Sequence, residues 1–175
     1  MRRTRVDRED NRASGIGQPL DPKKDLRQGV RLDNSLGLKT AQGLLITEGY
    51  YWDKDDLSRE FGKKFFARMN RMPTMNQAST YSATMHYLKA VKAAGTKDTK
   101  TVMAKMRELP VRDYFTQNGY LREDGRMVHS MLLLEVKKPE ESKYPWDYYK
   151  VLAEVPGDQV FRPMKDGGCP LVAGK

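Results

Sequence analysis

Only three stretches of this 175-residue chain are apolar enough to form buried strands, and three helical stripes separate the first from the other two. The first stretch is Gly43-Leu44-Leu45-Ile46-Thr47, a continuous run suited to a strand covered on both faces. The second is Met127 to Val136, with Leu132, Leu133 and Leu134 at its centre, and the third is Tyr148 to Ala153, expected to be antiparallel and nearer an edge. Strand, three helices, then two strands predicts an α/β fold. Three strands make a thin sheet for a chain that is 38% apolar, so an incomplete sheet with about three helices is expected, as part of something larger.

The helices follow from spacing and end signals. Asp53, Asp55 and Asp56 suit a helix N-terminus and its positive dipole end. The helix should run to about Met69, with Leu57, Phe61 and Phe65 as its buried stripe, widened by Phe66 and Met69. A second should span about Asn76 to Ala94, burying Ala78, Tyr81, Met85, Leu88 and Val91, with Gly95 as its C-terminal stop. A third should start near Asp98 or Thr99, bury Val102, Met103 and Met106, and stop before Pro110. Asn118-Gly119 and Asp124-Gly125 are turn signals.

Residues 1–32 show neither period. Their few apolar residues are scattered among charges and Pro19 and Pro22, too few to offset the entropy of ordering. They are read as a disordered basic tail, with the folded part spanning residues 33–175. Residues 1–31 hold nine cations and five anions, so they carry +4 of the formal +9. A basic surplus attracts polyanions, which keeps a small nucleic-acid-binding protein as an alternative. No recognition-helix, RNA-binding or zinc motif supports it, and the aromatics are not interleaved with the basic residues.

Composition excludes other classes. One cysteine cannot form an internal disulfide, and two histidines leave little for a zinc site. No stretch approaches the roughly 20 apolar residues of a membrane span. No apolar region follows the basic residues after Met1, so no secretory signal is read there.

Candidate chemistry is sparse. Gly37-Leu38-Lys39-Thr40 lacks the glycine that a phosphate-binding loop needs before its lysine. Gly15-Ile16-Gly17 has no strand before it and is no dinucleotide fingerprint. His86, beside Met85 and off the helical stripe, and His129, in a strand, are expected to be structural. Asp53, Asp55 and Asp56 lack the glycine and terminal glutamate of a calcium loop, so capping is the better account. Cys169 is either a free thiol or half of a bridge whose partner is elsewhere. Tyr50, Tyr51, Trp52 and Tyr81 suit either a core or the apolar wall of a small-ligand pocket. No catalytic constellation is present, so no enzyme and no cofactor are expected.

Several segments in order carry a resemblance. They are 35–43, Thr47-Glu48-Gly49-Tyr50-Tyr51-Trp52-Asp53, Arg71-Met72-Pro73, Tyr81-Ser82, and His86-Tyr87-Leu88-Lys89-Ala90-Val91. They continue with 103–107, 122–127, Pro145-Trp146-Asp147-Tyr148-Tyr149-Lys150 and Cys169-Pro170-Leu171-Val172. Together they resemble the periplasmic substrate-binding proteins of branched-chain amino acid ABC transporters, the leucine/isoleucine/valine-binding family, in its C-terminal part only. The resemblance implies a partial type I periplasmic-binding-protein fold, in which two lobes clamp a ligand between them. It implies a small amino acid or amide as ligand, a membrane permease as partner, and a periplasmic location. It also implies that Tyr81 packs on the ligand and that Tyr51 and Trp52 lie near the hinge, facing the cleft. Half a cleft should bind weakly. The change of character near Asp33 suggests a mis-assigned start or an upstream frameshift.

Overall fold

A computed structural model of the chain describes residues 36–170 and Val172. The expected tail, residues 1–32, lies outside the described residues. A short helical turn, α1 (Leu38–Ala41), leads into β1 (Leu45–Glu48). Three helices follow: α2 (Asp56–Met69), α3 (Met75–Ala94) and α4 (Thr99–Glu108). Then come β2 (Tyr120–Leu121), β3 (Met127–Val128), β4 (Met131–Val136), β5 (Tyr149–Val155) and the turn α5 (Gly157–Val160).

The caps explain the helix limits. The Asp55 carboxylate accepts from the Ser58 N–H at 2.7 Å and starts α2. Thr74 starts α3: its hydroxyl accepts from the Asn76 N–H at 3.2 Å, and the Gln77 side chain accepts from the Thr74 N–H at 2.8 Å. Gly95 ends α3 in the left-handed conformation, φ 65°. Asp98 starts α4 by accepting from the Thr101 N–H at 2.9 Å.

β4 is the centre of a three-stranded antiparallel sheet, with β1 on one side and β5 on the other. Leu134 faces Ile46 across one pair and Val151 across the other. β5 is therefore the expected antiparallel edge strand. The sheet is incomplete, as the strand count predicts, and its core lies on one face. There Ile46, Leu132, Leu134 and Val136 pack in one cluster with Tyr50, Tyr51, Phe61 and Phe115.

Four expectations need correction. Gly43–Thr47 is not covered on both faces: Ile46 is buried but Leu45 is 54% exposed, because only one layer covers the sheet. Met127–Val136 is not one strand. It breaks at His129-Ser130, where β3 pairs with β2 in a separate hairpin while β4 enters the main sheet. On α2, Phe61 is buried together with Ser58 and Gly62, whereas Leu57, Phe66 and Met69 are exposed. On α3 the buried face is Ala78, Ser82, His86 and Ala90, not the larger apolar residues, and Leu88 is half exposed. Three of these four side chains are small, and α4 packs against α3. His86 sits on this face, not off it, and its Nε2 bonds the Met106 carbonyl of α4 at 2.8 Å.

Candidate functional site

The chain leaves β1 through Gly49-Tyr50-Tyr51-Trp52, and all three aromatics turn inward. Tyr50 donates its hydroxyl to the Ser58 carbonyl at 3.0 Å and lies edge-on to Phe61 at 6.2 Å. Tyr51 is buried against Tyr149, ring centroids 5.1 Å apart, and its hydroxyl accepts from the Tyr149 N–H at 3.4 Å. Burial pushes both phenols above the usual range, so they stay neutral hydrogen-bonding groups.

Trp52 reaches across the fold. Its indole N–H donates to the Trp146 carbonyl at 3.0 Å. Trp146 itself is held in the left-handed region at φ 71°. The next residue, Asp147, is buried and accepts from the Lys137 ammonium and, at 3.0 Å, from the Lys143 N–H. Trp52 thus ties the exit of β1 to the segment before β5. Trp52→Phe should cost about 2 kcal/mol, from a lost hydrogen bond and lost volume in a buried site. A fall in the urea midpoint with an unchanged slope would show this; an unchanged midpoint would mean that the indole contact is idle.

Tyr81 lies elsewhere on the aromatic system. It is half-buried, 5.1 Å from Phe61 and 5.8 Å from Tyr114, and Phe61 stacks on Tyr114 at 5.6 Å. Tyr114 donates to Glu60 at 2.9 Å, and Lys64 donates to both, at 2.6 Å to Glu60 and 2.8 Å to Tyr114. Hydrogen bonds from Lys64 and Tyr114 hold the Glu60 carboxyl below its ordinary range. The structure therefore does not gather the three expected residues at one point. Tyr81 stands in a half-exposed wall with a charged rim, while Tyr51 and Trp52 are buried with their polar atoms engaged. Phe61 and Tyr50 bridge the two groups.

A cavity of about 710 Å³ opens between α3, α4 and the β2–β3 hairpin, and none of those three residues lines it. Its walls include Val111, Phe115 and Met127, and its polar lining includes Ser82, His86, Arg126 and His129. The Ser82 hydroxyl is buried with no hydrogen-bond partner, which ordinarily costs about 1–3 kcal/mol. Burial lowers the His129 pKa, the Ser130 carbonyl opposes this, and the nearby Arg126 and Lys54 charges add to it, which together favour the neutral imidazole. Ser82 stands in the Tyr81-Ser82 segment of the resemblance, but no pattern in the sequence marks its hydroxyl as unpartnered.

The acidic residues before α2 are engaged in structure. Asp55 is the cap, and Arg59 donates to Asp53 at 3.0 Å and to Asp56 at 2.7 Å. Among the described residues no three His, Cys, Asp or Glu side chains group as for a metal ion, and no helix is long and apolar enough to cross a membrane. Cys169 is a free, half-buried thiol.

A model of the periplasmic binding protein family matches residues 32–143. Among solved structures, the chain is similar to a periplasmic binding protein from Burkholderia mallei, with 46% identity and a TM-score of 0.79 over 82% of this chain. It is also similar to a branched chain amino acid ABC transporter periplasmic ligand-binding protein from Burkholderia xenovorans, with 38% identity and a TM-score of 0.76 over 90% of this chain. An amino acid ABC transporter substrate-binding protein from Pseudomonas fluorescens shares the fold, with 24% identity and a TM-score of 0.72 over 81% of this chain. The chain spans only 38%, 42% and 38% of these three proteins. No curated protein matches it.

Proposed function

The chain belongs to the periplasmic binding protein family, and from that premise we propose that it is the C-terminal part of the substrate-binding component of an ABC importer for branched-chain amino acids, amides or urea. The family is non-catalytic and associated with transport. The observation that carries the reading is 46% identity over 82% of this chain against only 38% of the Burkholderia mallei protein. Residues 33–175 form the partial domain in this reading, and residues 1–32 are a separate segment. The intact protein would work in the periplasm and, once closed on its ligand, dock on a membrane permease.

Tyr81 supplies the ligand contact. Its ring, like that of Tyr114, is half-exposed on the Phe61–Tyr81–Tyr114 wall, so an apolar ligand side chain can lie on it. Tyr51 and Trp52 serve the hinge end of the same site by fixing the strand exit from which that wall is built.

A ligand clamped between two lobes draws its affinity from both, so this chain alone should bind weakly or not at all. Titration calorimetry with leucine, valine, urea and short amides tests that, and micromolar binding by this chain would refute the impairment. Fused behind the N-terminal part of the Burkholderia mallei protein, the chain should regain saturable binding. Tyr81→Ala in the fusion should weaken it about tenfold, or ~1.4 kcal/mol. A fusion that folds and binds none of these ligands would overturn the ligand class.

A further inference from the structure

α2 and α3 each carry an apolar stripe at helical spacing that the structure leaves partly uncovered. On α2, Phe61 closes on the core, but beyond it Phe65 is half-buried and Phe66 and Met69 are exposed, Met69 by 49%. On α3, Tyr81 and Met85 are half-buried and Leu88 is 50% exposed. These three lie beside the buried Ala78–Ser82–His86 face and form a stripe of their own. The stripes join where the Phe61 ring meets Phe65 at 6.1 Å and Tyr81 at 5.1 Å. Single exposed apolar residues are ordinary, but a contiguous apolar surface across two helices marks an interaction site.

Charge narrows the occupant. Residues 61–94, which hold both stripes beyond Glu60, carry six cations and no anion: Lys63, Lys64, Arg68, Arg71, Lys89 and Lys92. A second copy would bring these cations against their like. Residues 1–31, at +4, are disfavoured for the same reason. Coverage points to another partner, since the chain spans 38% of the Burkholderia mallei protein to which it is 46% identical. In α/β proteins, helices bury such stripes on a sheet.

We infer that the two stripes are the docking face for the N-terminal part of a periplasmic binding protein, which seats an apolar sheet face on α2 and α3. The inference rests on the reading of this chain as the C-terminal part of such a protein, and it adds the surface by which the two parts hold together. Tyr81, at the junction, is the ligand's wall in that reading, and the docking face flanks it.

Thiol footprinting tests this in a Cys169→Ser background, where each added cysteine is alone. The two carriers are the full chain and its fusion behind the N-terminal part of the Burkholderia mallei protein. In the chain, Met69→Cys, Leu88→Cys and Lys100→Cys should all react with a maleimide as exposed thiols do. In the fusion, Met69→Cys and Leu88→Cys should react about tenfold more slowly or less. Lys100→Cys, exposed on α4 outside both stripes, should react at the same rate in both carriers. No ligand takes part, so a fusion that binds no amino acid yet protects both thiols upholds this face and refutes only the ligand class. Unchanged rates at Met69→Cys and Leu88→Cys overturn it, as does equal slowing at Lys100→Cys. Protection in the chain alone that deepens with its concentration overturns it in favour of a second copy. Protection by anionic phospholipid vesicles and not by the fusion overturns it in favour of a membrane surface.

Discussion

Leu134→Ala should destabilise the protein by about 3–5 kcal/mol. Leu134 is fully buried at the middle of β4, between Ile46 on β1 and Val151 on β5. Its side chain packs in the core cluster with Leu132, Val136 and Tyr50, which are themselves buried and held by sheet pairing or by the Tyr50–Ser58 hydrogen bond. Little can move in to fill the space, so the cost is the lost transfer energy together with most of a cavity. The neighbouring position is the control. Leu133 points to the uncovered face and is only half-buried, so Leu133→Ala should cost about 1 kcal/mol or less. Urea unfolding of the two variants reads the difference directly. Equal losses would mean that the one-sided core or the β4 register is wrong, because a one-residue slip exchanges the two faces.

Gly157→Ala should also destabilise, by about 2–3 kcal/mol, although helix propensity alone favours alanine by about 1 kcal/mol. A Cβ at Gly157 would lie 2.6 Å from Val128 Cγ1, 2.7 Å from the His129 carbonyl oxygen and 3.0 Å from the His129 nitrogen. Two of those atoms are backbone, at the point where the chain passes from β3 to β4, so no side-chain rotation relieves the clash. Gly167 is the matched control. A Cβ there meets only Arg162 Nη2, at 3.9 Å, so Gly167→Ala should be neutral or slightly stabilising. Thermal or urea midpoints decide it. A gain in stability for Gly157→Ala would show that α5 does not press against His129.

How much of this was legible depended on how local the cause was. The starts of α2, α3 and α4 rest on Asp55, Thr74 and Asp98 bonding to amides two or three residues on, so the residues nearly specify them. The end of α3 at Gly95 is likewise local. The buried face of α3 differs from the expected stripe because hydrophobicity ranks Tyr81, Met85 and Leu88 above Ala78, Ser82 and His86. Which face is buried depends on what packs there: the core takes Ala78, and α4 meets His86. The single run from Met127 to Val136 hid two strands, because the break at His129-Ser130 comes from hairpin pairing with Tyr120–Leu121, not from a glycine or proline. The aromatic candidates were found as a group, yet only the structure separates half-exposed Tyr81 from buried Tyr51 and Trp52. Nothing along the chain marks the cavity or the unpartnered Ser82 hydroxyl.

By itself, the sequence determined the order of the three long helices and the three main-sheet strands, the helix limits, the thinness of the sheet and the family. Each is either local hydrogen bonding or a count of apolar segments, and both are written along the chain. The tertiary structure alone decided which faces are covered, where β3 gives way to β4, and which polar atoms are left unused. Those depend on contacts between residues far apart in sequence, such as Trp52 with Trp146, and the Gly157 backbone against His129. Burial is a property of two surfaces, and one chain segment carries only one of them.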